Sequence, residues 1–188
     1  MLKRFAERVA SNPRAYELIQ SLLGARVMFR ALQEAIPDRN ALTLDVGSSS
    51  GGAVAKIVAK TIAIDIDLAP LALRARVAVQ GDARAIPLRG RSVPMTTCVA
   101  VSHHLDDTGL AAALAEIARV TSGVFVFVDA VRNDRRFLSR LLWRYDRGAN
   151  PRTAVELESA IAREFEIERV VRFQYLHQYW LAIGRPRR

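Results

Sequence analysis

The residues with the clearest capacity for chemistry lie around one turn, Asp45-Val46-Gly47-Ser48-Ser49-Ser50, followed by Gly51 and Gly52. Its small side chains let backbone approach a ligand closely, and N–H groups exposed where a helix starts favour a negative or polar group. No Gly-Lys-Ser/Thr follows, so this is not a Walker phosphate loop. It also fits the dinucleotide pattern G-x-G-x-x-G poorly, because Ser49 stands where close pyrophosphate approach wants glycine. A tight structural turn without a ligand is the plain alternative. Asp65 closes the next apolar run, 20 residues after Asp45. A carboxylate there can accept both hydrogen bonds of a ribose diol, a role for which Asp67 competes. Gly81-Asp82-Ala83 adds an acid after the third run, placed to hold an amino group or to cap the following turn. Three acids at three successive strand ends around one glycine turn favour binding over a bare turn.

The elements that must position these groups alternate along the chain. Residues 12–36 read as helical: Asn12 caps, Pro13 suits the first helical position, and Leu18, Leu22, Ala25, Phe29 and Leu32 recur at spacings of three and four. Pro37 and Asp38 end this segment, and residues 1–38 form an N-terminal helical extension acting as lid or brace. Ala41–Val46 is then a strand, Gly51–Lys60 a compact helix and Thr61–Ile66 a second strand, which makes a right-handed parallel βαβ unit. A helix over Leu68–Arg76, a strand at Val77–Gly81, a strand at Met95–Val101, a helix over Gly109–Val120 and a strand at Val124–Ala130 follow. Their near-continuous apolar runs suit a parallel sheet covered on both faces. Residues 131–164 are a helical insertion or lid, in which Thr153 and Glu156 have the spacing of a capping box for a helix to about Arg163. Phe165–Tyr175 and His177–Gly184 are strand-like and close enough to pair antiparallel.

With 188 residues, 51% of them hydrophobic, and no linker-like tract, residues 1–188 are expected to form one domain with a sizeable core. Cys98 is the only cysteine, which excludes an internal disulfide. No segment reaches 18 uncharged apolar residues and the N-terminus lacks a signal-peptide core, so a cytoplasmic, non-spanning protein is expected. The net charge is +9, and all but three of the 28 basic residues are arginine. Such a field suits nucleic acid, anionic lipid or an acidic substrate, and equally plain solubility.

Taken together, the chain resembles the class I S-adenosylmethionine-dependent methyltransferases, and within them the small-molecule, type 11-like group. The resemblance is carried by Leu44-Asp45-Val46-Gly47-Ser48-Ser49-Ser50-Gly51, Ala63-Ile64-Asp65-Ile66, Gly81-Asp82-Ala83-Arg84-Ala85-Ile86-Pro87-Leu88, Val101-Ser102-His103-His104-Leu105-Asp106-Asp107 and Leu114-Ala115-Glu116-Ile117-Ala118-Arg119-Val120, in that order. It implies an α/β, Rossmann-like sheet of seven strands, mostly parallel, in the order 3-2-1-4-5-7-6 with the last strand antiparallel and helices on both faces. It implies S-adenosyl-L-methionine as cofactor and no metal. Asp45 and the turn of Gly47, Ser48, Ser49 and Gly51 would hold the methionine portion, Asp65 the ribose hydroxyls, and Asp82 the adenine amino group with Ala83 beside the ring. Ile66 and Val101 complete the cofactor set. Three features depart from the family pattern: Ser49 in place of the middle glycine, Val93-Pro94 where Phe-Asp is usual, and a first helix about three residues short.

Methyl transfer from a sulfonium needs positioning more than covalent help. For a carbon or oxygen nucleophile, His103 or His104 could take the acceptor's proton, since histidine titrates near neutrality. Histidine also occurs at this family position without acting as base, so the role stays open. Asp106 and Asp107 read as caps for the next helix, with Thr108 as a rival. Asp129, Arg132 and Asn133 fall at the rim of an acceptor pocket; an acidic substrate would use Arg132, or Asp129 and Arg132 pair with each other. Tyr175 and His177 read as ordinary hairpin residues. From Arg132 to Arg152 seven arginines face two acids, interleaved with Phe137, Leu138, Leu141, Leu142, Trp143 and Tyr145. Such a segment can be a lid, a contact with an anionic membrane in which Trp143 helps form an insertable edge, or an RNA contact. The expected function is methyl transfer to a small acceptor, amphipathic or lipid-like in character. The alternatives are a catalytically silent cofactor-binding or scaffold protein on the same fold, and an RNA methyltransferase. No Asn-Pro-Pro-Tyr-type motif follows strand four to support methylation of a base amino group.

Overall fold

The structure, a computed structural model, describes residues 25–48, 53–67, 77–133, 139–140, 143–144, 149–175 and 177–188. Seven strands form one sheet: β1 (Leu42–Val46), β2 (Lys60–Asp65), β3 (Val77–Gln80), β4 (Val93–Val99), β5 (Thr121–Val131), β6 (Phe165–Gln174) and β7 (Gln178–Pro186). Their order is β3-β2-β1-β4-β5-β7-β6, with β1 to β5 parallel and β7 antiparallel to both β5 and β6. This is the order and the single reversal expected from the sequence. The described helices are α1 (Ala25–Ala35), α2 (Asp107–Val120) and α3 (Ala154–Ile161).

Alternate side chains of a strand point to opposite faces, so β5 feeds two cores. Phe125 and Phe127 meet Leu114 and Ile117 of α2, Leu157 and Ile161 of α3, and Trp180 of β7. Val126 and Val128 meet Leu32 and Ala35 of α1, with Val54 and Leu181. Each such side chain stabilises the fold by roughly 1.5–3 kcal/mol when fully buried, and a strand covered twice has no use for polar alternation. That is why the central strands read as unbroken apolar runs.

Several boundaries differ from the expectation. Among the described residues of 51–60 there is one 3-10 turn, Val54–Lys56, instead of a helix reaching Lys60. Ile57 and Val58 both donate to the Val54 carbonyl, and Ala59 then donates to Arg39, which delivers Lys60 into β2. β4 starts at Val93, two residues early, because a shift of register between Val93 and Met95 accommodates Pro94, which has no N–H to give. It ends at Val99, since Ala100 turns into the left-handed region with φ 57°. β5 starts at Thr121, directly at the end of α2. Asp106, not Thr108, caps α2 by accepting from the Gly109 N–H at 2.7 Å. The capping box of Thr153 and Glu156 is present, with α3 ending at Ile161. The expected helix over Leu68–Arg76 and the first part of the 12–36 helix lie outside the described residues.

Two of the stretches that carry the family resemblance hold each other. Glu116 accepts from the Ile86 N–H at 2.8 Å, and Arg119 donates to the carbonyls of Ile86 and Leu88 at 2.9 Å each. This ties the loop that follows β3, with Asp82 in it, to α2. Among the described residues no helix is long and apolar enough to cross a membrane.

Candidate active site

At the carboxyl ends of β1, β2 and β4 two hollows lie side by side, of about 380 and 360 Å³, and share Gly47, Ala100 and His104 as a common border. The larger is walled by Asp65, Ile66, Asp82, Ala83 and Val101, the smaller by Asp45, Ser48, His103, Asp129, His177 and Tyr179. The structure therefore gathers Asp45, Gly47, Ser48, Asp65, Ile66, Asp82, Ala83, Val101, His103 and His104 around one divided cavity. Ser49 and Gly51 lie outside the described residues.

Asp45 is buried at the end of β1 and accepts from Thr97 Oγ1 at 2.7 Å. Burial pushes its carboxyl up to about 6, against the opposing pull of hydrogen bonding from Thr97. Gly47 follows with φ 68°, a conformation L residues rarely adopt, and a β-carbon there would run into the Val101 side chain. Beside it Ser48 Oγ is buried and close enough to the Asp45 carboxyl to help pull it down. A buried hydroxyl, a backbone pressed into a hollow and carboxylates on two adjoining strands suit a polar ligand bearing both amine and hydroxyl groups. At the far end, Asp82 caps the following turn, one of the two roles its position suggested, by accepting from the Arg84 N–H at 2.8 Å. Arg84 grips it through Nε at 2.9 and 3.0 Å and through Nη2 at 2.6 Å, and the hydrogen bonds of Arg84 hold the Asp82 carboxyl below its usual range.

In the smaller hollow, the local ion pair considered for Asp129 and Arg132 gives way to a different arrangement. Asp129, fully buried at the end of β5, accepts from Ser102 Oγ at 2.5 Å, from His103 Nδ1 at 2.7 Å, and from the N–H groups of Ala130 at 2.7 Å and His103 at 3.3 Å. Burial alone would raise this carboxyl, but the hydrogen bond and charge of His103, with Ser102 and Ala130, outweigh it and hold Asp129 below its usual value. An ionised carboxylate can only accept, so Nδ1 of His103 is the donor in this pair. The imidazole ring lies 4.1 Å from that of His104 and 5.9 Å from the Trp143 ring.

His177, read from sequence as an ordinary hairpin residue, is only 1% exposed and its ring is 4.9 Å from Trp143. Thus all three histidines of the chain border one hollow. Trp143 is 8% exposed and faces these rings, so it forms no outward edge for a membrane; among the described residues 139–140 and 143–144, Arg140 and Arg144 are the exposed ones. Arg152, also missed, is buried and donates to the carbonyls of Ser102 at 2.7 Å and Leu105 at 2.8 Å, pinning the Ser102–His104 turn from below. Only the net of acid and base at strand ends was visible beforehand; no local signal marks Trp143, His177 or Arg152.

Residues 44–127 match the family described as the methyltransferase domain. No match is found among curated proteins. Several solved structures share the fold. A putative methyltransferase from Haloferax volcanii, solved with the Trm112 methyltransferase activator, superposes with a TM-score of 0.73 at 12% identity, covering 97% of this chain and 98% of its own. Geranyl diphosphate C-methyltransferase from Streptomyces coelicolor A3(2), solved with Mg²⁺, geranyl diphosphate and S-adenosyl-L-homocysteine, gives 0.70 at 13% identity over 86% and 77%. A putative methyltransferase from Bacillus halodurans C-125 gives 0.68 at 17% identity over 83% and 96%. At such identities the likeness is one of fold. Residues 44–127 are thus similar in sequence to the methyltransferase domain, on a fold that these solved structures share.

Proposed function

We propose that the protein transfers a methyl group to a small acceptor whose nucleophilic oxygen or carbon gives up a proton, and that His103 takes that proton. The observation that carries this reading is the Ser102–Asp129–His103 chain, whose Asp129 and His103 line the smaller hollow. Bound S-adenosylmethionine supplies a methyl group already activated by its sulfonium. Asp45, Gly47 and Ser48, with Ser49 and Gly51 in the same turn, hold the methionine end. Asp65 and Ile66 take the ribose, and Asp82, Ala83 and Val101 surround the adenine, which requires Arg84 to release Asp82 or to share it.

Asp129 fixes the tautomer of His103 and offsets the charge that the imidazole gains, a contribution of the order of 10²–10⁴ in rate. His104 borders both hollows and contacts the acceptor. Trp143 acts as a cover, turned inward over His103 and His177. An amphipathic, lipid-like acceptor agrees with those rings. The family departure at Val93-Pro94 does not weaken the case, because both residues stand at the start of β4, at the opposite end of the sheet from the hollows.

Calorimetry with S-adenosylmethionine and S-adenosylhomocysteine tests the cofactor half of the reading: both are expected to bind, and Asp65→Ala to abolish binding. An absence of heat at millimolar ligand defeats it. Turnover over a panel of phenols, enols and long-chain alcohols tests the base, with activity expected to fall in His103→Gln while cofactor affinity stays.

A further inference from the structure

A third hollow, about 660 Å³, opens where β5 and β6 end and β7 begins, bordered by Arg132, Asn133, Arg172, Gln178, Tyr179 and Trp180. Resting on the methyl-transfer reading above, we propose that this hollow binds an anionic group of the acceptor, a carboxylate or a phosphate, while the reacting atom lies at His103. Its lining includes two guanidinium groups and no carboxylate. Tyr179 borders both this hollow and the one that holds His103, so the two adjoin at the start of β7. Phe173 and Tyr179, both in the lining, stack at 5.1 Å with an interplanar angle of 8° and give the hollow an apolar side.

The register sets the length of such a ligand. Asp129 on β5, Trp180 on β7 and Arg172 on β6 stand opposite one another across three neighbouring strands and share a face. With strands just under 5 Å apart, roughly 10 Å separates the strand of the His103 partner from the strand of Arg172. Trp180 is wholly buried, forms part of the hollow's wall, and has an indole N–H that is buried without a hydrogen-bond partner. Buried donors are nearly always satisfied, and an acceptor oxygen brought in by a ligand satisfies this one. Arg132 feels the nearby Glu156 carboxylate, which its charge helps to keep below its usual range after the Thr153 N–H and Thr153 hydroxyl. Arg172 makes no ion pair or side-chain hydrogen bond among the described residues, and so carries the charge that selects the anion.

The test uses the full chain at 0.15 M salt, titrated first with S-adenosylhomocysteine and then with octanoate, octyl phosphate and 1-octanol. At least one anion is expected to bind tenfold or more tightly than the alcohol, and the tighter of the two names the group. Arg172→Gln should erase that preference and leave S-adenosylhomocysteine affinity within twofold, whereas Arg140→Gln should change neither. In a Trp143→Phe background Trp180 is the only tryptophan, and its emission should shift with the anion and not with the alcohol. Equal affinity for octanol, a preference that survives both Arg172→Gln and Arg172→Glu, or one lost equally in Arg140→Gln, overturns the proposal. Failure of S-adenosylhomocysteine to bind defeats the methyl-transfer reading instead, and the anion preference is still read from the second titration.

Discussion

Asp45 and Asp129 end two strands that flank β4, both buried, and their surroundings drive them in opposite directions. Divergence of this kind between neighbouring acids separates roles. For Asp45 the native pKa is raised from 3.8 to about 6, so the folded state holds a proton that the unfolded state has lost across that interval. Stability must therefore fall as pH rises from about 4 to 6, by at most about 3 kcal/mol. Asp45→Asn removes the buried charge while keeping an acceptor for Thr97 and offering a donor to Ser48 Oγ. We expect it to be more stable than the parent at pH 7.5 by about 1–3 kcal/mol in urea unfolding, yet to lose cofactor binding. An unchanged or lower midpoint contradicts this. For Asp129 the sign reverses: its lowered pKa gives stability present above the ordinary carboxylate range and lost as pH falls through the native value. Asp129→Asn should be less stable at neutral pH, lose less on acidification, and cut turnover by about 10²–10⁴ with cofactor affinity kept. Cys98, whose thiol burial pushes up, has no part in this chemistry.

The element that brings these residues together is the short connection from β4 to α2. Ala100 takes φ 57° and donates to Val128, and the 3-10 turn Ser102–His104 then presents His103 to Asp129. A left-handed alanine costs roughly 1–2 kcal/mol, so Ala100→Gly should stabilise the fold by roughly 0.5–1 kcal/mol. Beneath the turn, Arg152→Met leaves the Ser102 and Leu105 carbonyls without their charged donor. It should cost about 2–4 kcal/mol in denaturant unfolding and lower turnover through the displaced histidine; its exposed partner Asp107 adds little. The contrast with sequence is instructive here. The alternation of strand and helix and the acids at strand ends were legible because they obey local periodicity and local spacing. Arg152 lies 45 residues from Asp107, and Trp143 and His177 meet across 34 residues, so nothing local announces them. Pro94 and Ala100 moved the ends of β4 for the same reason: a register shift and a left-handed residue depend on the neighbouring strands.

Across the whole molecule the sheet divides its labour at β4. The ends of β2 and β3 wall the hollow that holds Asp65 and Asp82, β5 to β7 wall the hollow of Arg172, and the hollow of His103 lies between, with Asp45 of β1 on one side and Asp129 of β5 on the other. A ligand on one side that binds only the folded chain stabilises all of it, since the two cores share the same strands. Saturation with S-adenosylhomocysteine at a hundred times its Kd is worth about 2.7 kcal/mol, which for a domain of this length raises the melting temperature by roughly 5–10 °C. Asp65→Ala should abolish that rise in a thermal melt. Arg172→Gln should keep it, because that side chain walls a separate hollow, and His103→Gln should keep it, because the His103 ring is held by Asp129 and not by the cofactor. If those two variants lost the rise as fully as Asp65→Ala, the cofactor would extend beyond Asp45 and Ser48 onto the β5 side, where the acceptor is placed.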